Sequence, residues 1–166
     1  MILINDETNI YCKNDYAITH YFAEEFVKNF AKMKNIDFII LRPTNIYGAP
    51  INSFIDRDTL VPMCFCKDAI IFQKITLLSS GNQIRNFISL EEIALLVYLM
   101  LQSFDSYKNK TMNLASDVTF SIKEVALVVQ KVYYELFNKE CEIEISSEEP
   151  RSAKTLLVDT SNLPAI

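Results

Sequence analysis

The 166 residues carry 16 basic and 21 acidic side chains, a net charge of −5, and half of them are apolar. That length supports one domain with a proper core, and the dispersed charge has no basic stripe of the kind that binds nucleic acid. Only two glycines occur, Gly48 and Gly81, which excludes a Gly-x-Gly-x-x-Gly or Gly-x-x-Gly-x-x-Gly dinucleotide loop within this chain.

In chain order, residues 1–15 are polar after the first four, and Asn14 or Asp15 is placed to cap a helix. Ile18, Phe22, Phe26 and Phe30 recur at i+4 and draw one apolar stripe down a helix over 17–33. Asp37–Leu41 reads as a short strand, apolar on both faces as in a parallel sheet, and Arg42-Pro43 ends it because proline lacks an N–H. A loop over 49–57 leads to a helix over 59–72, interrupted or begun near Pro62. Ile75–Leu78 and Ile84–Ile88 read as a hairpin about the turn Ser79-Ser80-Gly81-Asn82. Capping boxes Ser89…Glu92 and Ser121…Glu124 open helices over 93–102 and 125–137. Between them Thr111–Ala115 reads as a buried strand, and Glu142–Ile145 alternates like an edge strand. The succession predicts a mixed α/β fold.

Cys12, Cys64, Cys66 and Cys141 show no Cys-x-x-Cys spacing, and the chain has one histidine, so the ligand inventory for a metal is thin. The thiols read as buried and free, which suits the reducing cytosol and a cytoplasmic location. The start, Met-Ile-Leu-Ile-Asn-Asp-Glu, lacks the basic region of a signal peptide. The longest apolar run, Ile93–Leu101, is too short to span a bilayer.

Three segments carry chemistry. Tyr16 and His20 stand at i and i+4, so both lie on one helix face. A cation one turn along favours phenolate and brings a tyrosine toward general acid–base work; the other reading is an ordinary helix N-terminus. Arg42-Pro-Thr-Asn-Ile-Tyr-Gly48 ends a strand where α/β proteins place ligands, with Asn45 offering a donor and an acceptor. Its alternative is a strand and turn with a self-capping asparagine, which leaves Arg42 unexplained. Gly81-Asn-Gln-Ile-Arg-Asn-Phe87 presents Arg85, whose planar guanidinium suits phosphate oxygens; the alternative is a hairpin with a solvated arginine.

Tyr16 to His20, Phe38–Leu41, Arg42–Gly48, Leu60-Val61-Pro62 and Gly81–Glu92 together resemble the second half of an extended short-chain dehydrogenase/reductase. The branch they are most similar to is the NAD(P)-dependent nucleotide-sugar epimerases and dehydratases. The resemblance runs from about Ile4 to Leu163 and includes the acidic Asn5-Asp-Glu7 ahead of the tyrosine. It implies that Tyr16 transfers the proton, with His20 at the position of the lysine that also grips the cofactor ribose. It implies that Pro43 and Thr44 lie beside the nicotinamide and that Asn45 touches the substrate. The backbone at Leu60 and Val61 would approach the nucleotide, while Arg85 clasps the diphosphate and Arg151 is a second phosphate ligand. Three positions depart from the family's pattern: His20 replaces lysine, Asn86 stands where aspartate is usual, and Glu92 where another aspartate is usual.

The expected fold is therefore α/β, the C-terminal portion of a Rossmann-like short-chain dehydrogenase without its N-terminal cofactor-binding strands. Residues 1–48 and about 89–115 would be the remaining sheet-forming elements. About 49–88 and 116–166 would form the small nucleotide-sugar-binding subdomain. NAD or NADP serves the intact family, and this chain by itself is expected to bind neither. The expected ligand is a nucleotide diphosphate sugar. The expected assembly is a homodimer or a complex with a separate cofactor-binding half, with no nucleic-acid or membrane partner. Three readings stay open: half of a split epimerase or dehydratase, a non-catalytic nucleotide-sugar binder, or an interaction module using a bare sheet edge.

Overall fold

A computed structural model of the chain describes residues 2–52, 59–145 and 156–165. After a short strand β1 (Ile2–Ile4), α1 runs over Asp15–Lys34. Asn14 opens it, its side chain accepting from the Ala17 N–H at 2.9 Å, and left-handed Asn35 closes it at φ 52°. β2 (Ile39–Pro43) and β3 (Asn45–Tyr47) follow, then α2 (Val61–Phe72) and β4 (Lys74–Leu77). β5 (Ile84–Ser89) leads directly into α3 (Leu90–Gln102), and a single turn α4 (Phe104–Tyr107) precedes β6 (Lys110–Leu114). β7 (Thr119–Ser121), α5 (Ile122–Phe137), β8 (Glu142–Ile145) and β9 (Leu156–Val158) complete the order. Both capping boxes form: the Ser89 and Ser121 hydroxyls accept from the backbone of Glu92 and Glu124, whose carboxylates reach back.

The strands pair across long stretches of sequence. β2 lies parallel to β6, with Ile39 opposite Lys110 and Pro43 opposite Leu114. β5 sits between β3, parallel, and β7, antiparallel. β4 pairs parallel with β8, and β1 with β9. The expected hairpin over 75–88 is absent, since β4 and β5 belong to different ladders. Its turn is instead packed against α5: Gly81 sits at φ 75°, where a Cβ would lie 2.5 Å from Leu77 Cδ2 and 3.1 Å from the Lys123 nitrogen.

Pro43 does not end β2 ahead of itself but is its last paired residue. Among the described residues β2 has β6 as its one neighbour, so a missing N–H on the other side leaves no ladder bond unmade. β2 and β6 thus cover one edge of each other. The thiols were expected to be buried; only Cys141 is, with Cys12 and Cys64 half-buried and Cys66 exposed. All four lie outside any disulfide. Cys66 lines an open cavity beside α2, while Phe65 and Ala69 of the same helix are buried.

Apolar side chains gather into two cores. One joins Phe65 and Ala69 of α2, Ile75 and Leu77 of β4, Ala126 and Tyr133 of α5, and Cys141. The other joins Ile88, Leu96, Met100, Met112 and Leu114, with Ile39, Leu41, Ile46 and Leu163 packed against it. No helix among the described residues is long and apolar enough to cross a membrane, and no cluster there offers three metal-ligating side chains.

Candidate functional site

A cavity of about 410 Å³ opens where the start of β3, the N-terminus of α2, the end of β4 and the start of β5 converge. Asn45, Leu60, Val61 and Arg85, four residues singled out from sequence, all line it. Thr76, Leu77, Leu78 and Gln83 line it as well, and sequence reasoning passed over them. Strand alternation at Thr76 was the available signal: Ile75 and Leu77 are buried on one face while Thr76 is exposed.

The entrance of α2 explains the electrostatics. Leu60 occupies its cap position in an extended conformation and offers no side-chain cap, and Pro62 sits in the first turn. With no side-chain cap from Leu60, the first-turn N–H groups and the helix dipole present partial positive charge at the cavity wall. On another wall, Arg85 Nη1 donates to the Ile84 carbonyl at 3.0 Å and Nη2 to Gln83 Oε1 at 3.2 Å. These contacts hold the guanidinium at the cavity and leave donors over, since arginine carries five. Together the helix entrance and the guanidinium suit an anion of the phosphate type.

Asn45 is anchored by one end. Its Nδ2 donates to the Asn86 carbonyl at 2.8 Å, leaving Oδ1 unengaged by that bond. Beside it, Thr44 donates its N–H to the Leu114 carbonyl at 2.9 Å and its hydroxyl to Asn86 Oδ1 at 2.8 Å. Asn45 is the first residue of a true strand, β3, in register with Phe87. Pro43 lies exposed at the end of β2. Arg151 lies outside the described residues.

Tyr16 and His20 keep the expected helical geometry: their ring centroids are 4.3 Å apart at 47°. Tyr16 is 73% exposed, and neither residue lines the cavity. One further turn along the same stripe, Glu24 accepts from Arg42 Nε at 2.8 Å and Nη2 at 2.6 Å. This forked pair explains Arg42: it ties α1 to β2. The Arg42 hydrogen bond holds the Glu24 carboxyl below its usual range, against some opposing burial, and Glu24 in turn pushes Arg42 up.

A second cavity, also about 410 Å³, lies between α2 and α5. Its wall is mainly apolar, including Ile70, Val128, Val132 and Leu136, and among the described residues Glu92 is its one charged lining side chain. Burial, then Glu92 and Glu91, push the Tyr47 phenol there up. Among the described residues the second cavity offers a carboxylate and no cation, whereas the first offers a guanidinium and a helix entrance, so the first cavity is the candidate site for a phosphate-bearing ligand.

Comparison with known proteins bears on both. The model of the NAD dependent epimerase/dehydratase family matches residues 4–115. A dTDP-4-dehydro-6-deoxy-D-allose reductase of a Streptomyces species is 24% identical over 156 residues, 94% of this chain and 45% of its own length. The structure of a UDP-N-acetylglucosamine 4-epimerase from Methanobrevibacter ruminantium in complex with UDP-N-acetylmuramic acid superposes with a TM-score of 0.76. It is 23% identical and covers 96% of this chain and 49% of that one. UDP-glucuronic acid 4-epimerase from Bacillus cereus, in complex with UDP-glucuronic acid and NAD, gives a TM-score of 0.73 at 17% identity, over 96% of this chain and 48% of that one. The chain thus spans less than half the length of the curated relatives it matches, 36% and 45%.

Proposed function

Since the chain belongs to the NAD-dependent epimerase/dehydratase family, we propose that it forms the part of such a protein that holds the nucleotide sugar, and that it does not run the reaction by itself. The observation that carries this reading is the cavity where Asn45, Leu60, Val61 and Arg85 meet beside the uncapped entrance of α2. In this reading the diphosphate lies against the α2 entrance and Arg85, and the sugar reaches toward Asn45. The base packs along Thr76–Leu78. UDP-sugars, named with the similar structures, are the first ligands to try.

The family's cofactor fits this chain only in part. Tyr16, His20, Pro43 and Thr44 would meet its nicotinamide and ribose. Its pyrophosphate finds no cradle here, because Gly48 leads into a loop and Gly81 into β5, and neither opens a helix. NAD(P) supplies hydride chemistry when it is bound; no hydride step runs on this chain alone. Tyr16 would move the substrate's proton once a cofactor-binding half is docked, and His20 would tune it less firmly than lysine. An imidazole reaches less far than the four-carbon stem of a lysine.

One observation favours a docked partner, either a separate cofactor-binding half or a second copy. Helix α1 packs only sparsely on the rest of the chain, with Phe22 and Phe26 67% and 70% exposed. An apolar stripe of that extent marks an interface. Four cysteines outside any disulfide suit a reducing compartment such as the cytoplasm.

Calorimetric titration of the chain with UDP-glucose tests the assignment. Binding is expected. Arg85→Ala should lose about 1.5–3 kcal/mol of it, the worth of a charge-assisted bond. Equal affinity in the variant would remove Arg85 from the site, and no binding by the native chain would overturn the reading.

A further inference from the structure

Asn86 never touches either cavity, yet it is one of two buried polar residues in the described chain, 7% exposed. Burying an amide is costly unless every donor and acceptor is met, and here all of them are. Oδ1 accepts from the Thr44 hydroxyl at 2.8 Å and from the Ser116 N–H at 3.1 Å. Nδ2 donates to the Ser116 carbonyl at 2.6 Å and to the Val118 carbonyl at 3.3 Å. Two lone pairs and two N–H groups are the whole capacity of the side chain. Its orientation is set by the neighbours, since a flipped amide would turn an N–H toward the Ser116 N–H and an oxygen toward two carbonyls.

These bonds join segments far apart in sequence: the corner between β2 and β3, the middle of β5, and the turn between β6 and β7. The main-chain carbonyl of the same residue holds Asn45 Nδ2 at 2.8 Å. Alternation along β5 turns Arg85 the opposite way from buried Asn86, toward the cavity it lines. One residue thereby fixes the place of two groups that face the ligand.

We infer that Asn86 is a positioning residue for the nucleotide-sugar site, locking the Thr44–Asn45 corner and β5 to the Ser116–Val118 turn, and that it must be an amide to do so. This rests on the nucleotide-sugar reading above. Aspartate, the residue the family resemblance expects here, has no donor when ionised. It would set a carboxylate oxygen against the carbonyls of Ser116 and Val118. Protonation restores one donor, and burial away from cations raises the pKa at which that happens. The ionisable groups on the described segments packed about it include Arg85, turned to the other face, and Asp117, whose carboxylate accepts from the Thr160 hydroxyl. They also include Asp159 beyond β9, whose carboxylate accepts from the Ser161 N–H, and Glu92, whose carboxylate accepts from the Ser89 N–H.

The experiment compares the native chain with Asn86→Asp, reading UDP-glucose affinity by calorimetry and Tm by scanning calorimetry from about pH 8 down to about pH 5. At the upper end Asn86→Asp should bind at least about ten-fold more weakly and melt lower. Its folded carboxyl pKa lies above the unfolded value of about 3.9. The penalty is therefore full above the folded pKa and shrinks as pH falls through it, so both defects should narrow toward the native chain. Thr44→Val, which removes one donor and leaves Asn86 in place, should lose about 3- to 10-fold in affinity and serves if the first variant fails to fold. Native affinity in Asn86→Asp or in Thr44→Val would overturn the positioning role, and a Tm gap independent of pH would overturn the need for an amide. A native chain that binds no UDP-glucose would overturn the nucleotide-sugar reading and the positioning role with it, while the pH dependence of Tm would still judge the amide.

Discussion

In the lobe of α2, β4, α5 and β8, Ile75 and Ala126 are wholly buried and Leu77 nearly so, whereas α1 buries Ala31 and leaves Phe22 and Phe26 mostly in solvent. Both regions carry apolar faces, although α1 is the more polar of the two. They differ in what each has to pack against. α2 and α5 face each other over β4 and seal Phe65, Ala69, Ala126 and Tyr133 against it. Ile70, Val128 and Leu136 stay exposed along the cavity between the helices. α1 is tied to β2 by one forked ion pair, Glu24 with Arg42, and its Phe22 and Phe26 rings stay mostly in solvent in the described chain. Amphipathic periodicity therefore reports that a helix expects a partner, and burial reports whether this chain supplies one.

Truncation experiments should split the two regions most widely. Leu77→Ala should cost about 2.5–5 kcal/mol, the range for emptying a sealed core position. Phe26→Ala should stay within about 0.5 kcal/mol, because its ring is already wet. Denaturant unfolding reads both, and similar costs would mean that α1 packs as tightly as the lobe.

The tie between the regions is the next target. Glu24→Gln should cost about 1–3 kcal/mol near neutral pH, since Arg42 loses a charged partner at a mostly buried site. The Glu24 carboxyl is held low chiefly by the Arg42 hydrogen bond. Its contribution is thus present above the unfolded value of about 4.3 and is lost as pH falls through the lower folded pKa. The stability gap between native chain and variant should close on acidification; a gap that persists would assign the effect to packing.

The exposed face itself is read by association. Sedimentation at low micromolar concentration should show the native chain self-associating, and Phe22→Glu with Phe26→Glu should shift it toward monomer with little change in stability. A native chain that stays monomeric would indicate that the face tolerates water.

The helices were legible because their signals are local. Asn14 caps α1, and two Ser-x-x-Glu boxes placed α3 and α5 to within a few residues. Arg85, Asn45, Leu60 and Val61 were named in advance through the family resemblance, and one cavity gathers them. Strand partners were not legible. The turn at Ser79–Asn82 resembled a hairpin, yet Ile75 pairs with Ile143 and Phe87 with Asn45, because parallel pairing is chosen by helix packing distant in sequence. Asn86 was visible as a departure from a pattern. Its four side-chain partners, from Thr44, Ser116 and Val118, were beyond reach of any local rule.

Hydrogen–deuterium exchange of the isolated chain, with and without UDP-glucose, tests the central claim most directly. The account predicts that α2, β4 and α5 are the slowest to exchange and α1 among the fastest. Ligand should add protection at the start of α2, along Thr76–Leu78 and over Gln83–Asn86, and leave the outer face of α1 unchanged. Protection centred on α1, or none anywhere, would contradict it.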